Sequence, residues 1–128
     1  MQPKLTILYA EDEPLISAMV EDSLVSAGFE VIVAHDGDHA HRLAREHIDR
    51  LAGLITDIRL GAGPDGWDLA RQCRASSPTL PVIYTSGDSA HVWTAEGVPM
   101  SVMIQKPFVE AQIITALAEL LNDRPLPG

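Results

Sequence analysis

The sequence predicts a doubly wound α/β domain: five parallel strands in the order 2-1-3-4-5, with helices on both faces of the sheet. Three observations carry that expectation. Short apolar runs alternate strictly with segments of helical periodicity, five times along the chain. The central run, around Leu54 and Ile55, is apolar throughout, as in a strand buried on both faces. Four of the runs stop on polar or charged residues, at Glu11-Asp12, Asp57, Ser86 and Lys106. In a parallel sheet those positions fall at the carboxyl edge, where open α/β folds bind their ligands.

The elements follow in order. Residues 4–10 (KLTILYA) form the first strand, which breaks into Glu11, Asp12, Glu13 and Pro14. Proline suits the first turn of a helix and acidic residues suit the positive end of its dipole. Ile16, Val20 and Leu24 then give a helix one buried face, closed by Gly28 as its cap. Residues 29–34 (FEVIVA) are the second strand; Asp36 can cap the next helix, whose apolar face holds Ala40, Leu43, Ala44 and Ile48. After the strand ending at Asp57, residues 61–66 (GAGPDG) make a flexible loop, and Leu69, Ala70 and Cys73 line the third helix. Residues 81–85 (PVIYT) are the fourth strand and residues 101–104 (SVMI) the fifth. Between them, residues 89–96 are the weakest helix because their periodicity is poor. Ile113, Ile114, Leu117, Leu120 and Leu121 mark a strongly amphipathic last helix. Residues 1–122 read as one domain and 123–128, with two prolines, as a short frayed tail.

Composition narrows the functional classes. A chain of 128 residues suits one domain, and 46% hydrophobic with 21% charged residues is globular composition. A net charge of −9 argues against nucleic acid or anionic membrane as a partner, since both require clustered Lys and Arg. No apolar run reaches the roughly 20 residues of a membrane span, and the N-terminus has no signal-peptide pattern. The single cysteine, Cys73, excludes an intrachain disulfide and a cysteine metal cluster. The cytoplasm is the expected compartment.

Strands 1 and 3 are neighbours in the predicted order, so Glu11, Asp12 and Asp57 converge. Two carboxylates about 5 Å apart repel by about 3 kcal/mol at an effective dielectric near 20. Such a cluster holds either a proton or a cation, and an oxygen-only site with open positions suits Mg²⁺ (or Mn²⁺). The plainer alternative for Glu11 and Asp12 alone is that they cap the first helix. Lys106 adds a mobile positive charge suited to a phosphoryl group, the Ser86 hydroxyl a donor, and Gly87 room for the ligand. A carboxylate nucleophile with a metal ion, a cation and a hydroxyl donor makes an aspartyl-phosphate site.

Glu11-Asp12, Asp57, Asp65-Gly66, Ser86-Gly87 and Lys106-Pro107-Phe108, in this order and spacing, resemble the receiver domain of two-component response regulators over essentially the whole length. The resemblance implies a flavodoxin-like (βα)5 fold in which Asp57 accepts a phosphoryl group from a histidine kinase or histidine phosphotransfer protein. It implies that Asp12, Asp57 and the Arg59 backbone carbonyl bind Mg²⁺, with Glu11 acting through a metal-bound water. Ser86 and Lys106 then report the phosphoryl group to the surface, and Lys106-Pro107 is a cis peptide. Such a protein is a switch rather than an enzyme, catalysing only its own phosphorylation and dephosphorylation. Its output is contact with a downstream protein, unknown from the sequence, or onward phosphoryl transfer. The start at Met1 favours an independent protein over a receiver fragment of a hybrid histidine kinase.

The sequence departs from the receiver pattern in three places. Gly61 stands where receivers usually have a proline, and the loop to Asp65 is one residue longer than usual, which predicts a mobile loop. Met103 replaces the usual aromatic switch residue; a thioether can swing inward but has no hydroxyl. Arg59 and Asp88 fall where receivers tune the lifetime of the acyl phosphate, and their opposite charges predict a pair across the site. A Mg²⁺-dependent aspartyl-phosphate hydrolase is the alternative from another class, but it usually has a second acid two residues after the nucleophile, where this chain has Arg59. A flavin carrier needs a Ser/Thr/Gly-rich loop where Glu11-Asp12-Glu13 stands. His35, His39, His41 and His47 read as solvated, His91 as a surface residue, and Trp67 and Cys73 as core. Trp93 is a candidate partner-surface residue.

Overall fold

The structure is a computed structural model that describes residues 3–123. Five parallel strands, β1 (Thr6–Ala10), β2 (Glu30–Ala34), β3 (Leu51–Asp57), β4 (Val82–Ser86) and β5 (Ser101–Gln105), lie in the order β2-β1-β3-β4-β5. Helices α1 (Pro14–Ser26), α2 (Gly37–His47), α3 (Gly66–Ser76), α4 (Trp93–Glu96) and α5 (Glu110–Asp123) connect and follow them. This is the expected flavodoxin-like arrangement. Asp123 is helical, and the rest of the expected tail lies outside the described residues.

Strand alternation divides the core in two. On one face Leu8, Leu54, Val82 and Tyr84 pack with Ala40 and Ala44 of α2 and Leu69, Ala70 and Cys73 of α3. On the other, Ile7, Tyr9, Ile55 and Ile83 pack with Val20 and Leu24 of α1 and Ile113 and Leu117 of α5. All residues of β3 are buried, as its unbroken apolar pattern requires.

The local signals for helix ends act as expected. Pro14 opens α1. At its other end Gly28 has φ +100°, with Gly28 N–H bonded to the Val25 carbonyl and Phe29 N–H to that of Leu24. That bonding is a Schellman motif, which places glycine in the left-handed conformation. Asp36 Oδ1 accepts from His39 N–H at 2.7 Å and caps α2.

Two regions differ from the sequence reading. The segment between β4 and β5 holds only a 3₁₀ turn, Ala90–Val92, and the single turn of α4. Polar hooks hold it in place of a helical face. Tyr84 Oη accepts from Val98 N–H at 3.0 Å, Trp93 Nε1–H donates to Ser101 Oγ at 3.0 Å, and Arg74 donates to the Pro99 and Met100 carbonyls. The loop before α3, expected to be mobile, is pinned instead. Its Leu60 and Ala62 carbonyls accept from Gly37 N–H and Asp38 N–H, both at 3.1 Å. Those are first-turn donors of α2 that have no partner within their own helix.

Candidate functional site

Register brings the site residues together. Ala10 pairs with Thr56 and Asp57 with Thr85, so the residues that leave β1 emerge beside Asp57. Carboxylate oxygens of Glu11, Asp12 and Asp57 lie within 4.8 Å of one another, as the strand order predicted. Asp57 is buried; its Oδ1 accepts from Ile58 N–H at 2.8 Å and its Oδ2 from Lys106 Nζ at 3.0 Å. The same ammonium lies 3.1 Å from Glu11 Oε1. The Lys106-Pro107 peptide is cis. Asp12, Glu13, Asp57, Arg59, Gly87, Asp88 and Lys106 line an open cleft.

Helix capping does not account for this cluster. The residue that precedes α1 is Glu13, and it makes no side-chain cap bond. Glu11 Oε2 accepts from Glu13 N–H at 3.3 Å, which steadies the turn, while Asp12 points into the cleft lining. An oxygen-only set of three carboxylates, one exposed and two buried, fits a hard divalent ion that keeps part of its water shell.

Burial is the main cause that raises the Glu11 carboxyl to about 7; the Asp57 charge adds to it, and Lys106 and Glu13 N–H oppose it. Burial also works against the charge on Lys106, but its hydrogen bond to Asp57 and the charges of Asp57 and Glu11 outweigh that and lift it above the ordinary lysine value. The folded chain therefore holds the Glu11 proton more tightly than the unfolded chain. The stability this contributes is complete below 4.5, falls as pH rises to about 7, and changes no further above that. The melting temperature of the metal-free protein is expected to fall across that window relative to Glu11→Gln. Equal pH profiles for the two proteins would contradict this charge assignment.

The remaining predicted residues divide into three groups. Arg59 and Asp88 do pair, Nη2 to Oδ2 at 2.7 Å, at the cleft rim. Ser86 lies behind the cleft: it is buried, and its Oγ accepts from Ser89 N–H at 2.7 Å and Asp88 N–H at 3.2 Å. Met103 faces away from the carboxylates, half-buried against the core under α3 with Val92 and Trp93. Trp67 is core, its ring tilted against that of Tyr84 with centroids 4.7 Å apart. Among the histidines, His35 is exposed and stacks on His39, but His41 is not solvated as expected, because its Nε2 is buried without a hydrogen-bond partner. Among the described residues, the acidic trio is the one His/Cys/Asp/Glu group gathered closely enough to hold a metal. Sequence reasoning missed Glu13, which lines the cleft, and the hydroxyls of Tyr9 and Thr85. Counting by two back from Glu11 and Asp57 along the strands puts Tyr9 and Ile55 on the carboxylates' face, and Thr85 pairs with Asp57.

Comparison with known proteins agrees with this geometry. The sequence profile of the response regulator receiver domain matches residues 7–118. A response regulator receiver protein from Sinorhizobium medicae WSM419 has 40% sequence identity and a TM-score of 0.91, over 95% of this chain and 98% of that one. The receiver domain of a Pseudomonas aeruginosa PAO1 sensor histidine kinase, solved with a magnesium ion coordinated in its active-site cleft, has 25% identity and a TM-score of 0.80, over 94% and 100% of the two chains. Sensor protein EvgS of Escherichia coli K12 is 35% identical over 80 residues, 62% of this chain but 6% of that protein. Among the described residues no helix is long and apolar enough to cross a membrane.

Proposed function

Since the chain belongs to the response regulator receiver domain family, we propose that it is a two-component or phosphorelay switch whose phosphoacceptor is Asp57. The observation that carries this reading is the meeting of Glu11, Asp12 and Asp57 with the single ammonium of Lys106 at one sheet edge. An Asp57 carboxylate oxygen attacks the phosphorus of a phosphohistidine on a histidine kinase or phosphotransfer protein, and the phosphorus–nitrogen bond breaks. Asp12, Asp57 and the Arg59 carbonyl would hold Mg²⁺, and Glu11 would act through water bound to it. When bound, such an ion would supply positive charge opposite the charge that develops on the transferred group. Lys106, already in contact with Asp57, moves onto the phosphoryl oxygens.

Ser86 couples the event to the surface. When its hydroxyl turns to the phosphoryl group, it loosens the bonds from Asp88 and Ser89 N–H, and so the turn that leads to α4. The donor protein docks over exposed apolar residues near the cleft, Leu15 and Met19 on α1 and Val109 before α5. With Arg59 where a hydrolase has its second acid, the chain acts as a cytoplasmic switch without a separate substrate, and its output is a downstream protein. The likeness to a sensor protein and to a sensor kinase receiver favours a second setting, the same domain within a hybrid kinase.

Intact-mass measurement with a small phosphodonor and Mg²⁺ tests the reading. One added phosphoryl group is expected, lost on chelation; no added mass would overturn it. The Arg59–Asp88 pair leads to a further expectation. Both side chains are well exposed, so the bridge adds little to stability. It does span the cleft rim, where it hinders the water that would attack the acyl phosphate. Arg59→Ala and Asp88→Ala are each expected to speed phosphoryl loss about 3- to 10-fold, equivalent to about 0.7–1.4 kcal/mol. Decay at the parental rate in both would show that the pair does not shield the site.

A further inference from the structure

On the strand face that carries the acidic residues are two buried hydroxyls, of Tyr9 and Thr85, that the proposed reaction does not use. Tyr9 is fully buried in the core between the sheet and α1 and α5, and its hydroxyl has no hydrogen-bond partner among the described residues. Alternation along β1 puts Tyr9 two residues before Glu11 on the same face of the sheet. Thr85, beside Asp57 in the register, has a second buried hydroxyl without a partner, and Glu11 Oε1 is likewise buried without a hydrogen bond, although Lys106 lies 3.1 Å away. Buried hydroxyls are ordinarily paired, so two unpaired ones on the strand face that leads to the charged cluster call for an explanation.

In the structure Lys106 serves both Glu11 and Asp57. A divalent cation in the cleft repels that ammonium, and Glu11 then loses its nearest positive partner. We propose that Tyr9 is a positioning residue for Glu11: its hydroxyl donates to the Glu11 carboxylate when a cation shares the cleft and Lys106 withdraws. The proposal rests on the phosphoacceptor reading of the site. It assigns Tyr9 no contact with the phosphoryl group. Its role is to hold Glu11 aimed at the water shell of the ion.

Tyr9→Phe tests this because it keeps the ring and removes one oxygen. Calorimetric titration with Mg²⁺ is expected to show about tenfold weaker binding, while the metal-free melting temperature holds or rises because an unpaired buried hydroxyl has gone. In a Glu11→Gln background, Tyr9→Phe is expected to change Mg²⁺ affinity no further. Parental affinity in Tyr9→Phe overturns the proposal, and so does an equal loss in both backgrounds. A lower metal-free melting temperature with unchanged affinity also overturns it, since the hydroxyl would then be structural. A parent chain that takes up no Mg²⁺ overturns the phosphoacceptor reading together with this one.

Discussion

Asp57→Asn is expected to abolish the added phosphoryl mass outright and also to raise the melting temperature of the metal-free protein. The first effect follows from chemistry, since an amide oxygen is too poor a nucleophile to replace the carboxylate. The second follows from the charges around residue 57. Carboxylates within 4.8 Å repel by roughly 3.5 kcal/mol per pair at an effective dielectric near 20, less for exposed Asp12. Asp57 is itself buried, so its charge also carries a desolvation cost. Against these stands the attraction of Lys106 at 3.0 Å, which asparagine loses as a charge pair; its one amide oxygen can accept from Lys106 or from Ile58 N–H, but not from both. At pH 8, where Glu11 is ionised, the balance favours asparagine by about 1–2 kcal/mol, or about 5 °C in melting temperature. Calorimetry without metal checks this. A lower melting temperature for Asp57→Asn would mean that Lys106 neutralises the cluster completely and that no charge strain is stored for a cation to relieve.

The same residues show how much could be read before any coordinates. Strand order and the meeting of Glu11, Asp12, Asp57 and Lys106 were legible because hydrophobic runs set the strands and four of the five runs end on a residue that matters. The Arg59–Asp88 pair was legible through the receiver resemblance, which puts both positions beside the phosphoacceptor, together with their opposite charges. The region of α4 was not. Periodicity cannot reveal a segment held by Tyr84, Trp93 and Arg74, because those hooks join residues distant in sequence or hidden in strands read as apolar. Tyr9 was obscured in the same way, since in KLTILYA its ring supports the strand and its hydroxyl carries no local signal. The loop after Asp57 was expected to be mobile because Gly61 stands in place of a proline and the loop is one residue longer; its bonds to α2 left no local signal. Gly61 and Gly63 take φ +71° and +92°, and that left-handed backbone lets the loop fold its carbonyls onto α2.

That clamp makes Gly37 a position where an ordinarily favourable change should fail. Glycine to alanine inside a helix usually gains up to about 1 kcal/mol. Here a Cβ on Gly37 would run into the Pro64 carbonyl oxygen, and it would lie 2.9 Å from that of Ala62. Both are backbone atoms, and the loop is tied to α2 by the N–H groups of Gly37 and Asp38 themselves, so neither side can yield without losing those bonds. Gly37→Ala is therefore expected to cost about 2–4 kcal/mol, lowering the melting temperature by about 10 °C. The effect should reach the cleft, because the displaced loop follows Arg59, the residue whose carbonyl is assigned to the metal ion. Mg²⁺ affinity should fall in Gly37→Ala although no carboxylate has changed. Thermal melts and Mg²⁺ titration of the same preparation separate the two effects. A variant as stable as the parent would show that the loop gives way freely, restoring the mobility the sequence suggested; a destabilised variant with parental Mg²⁺ affinity would show that the clamp supports the fold without positioning the site.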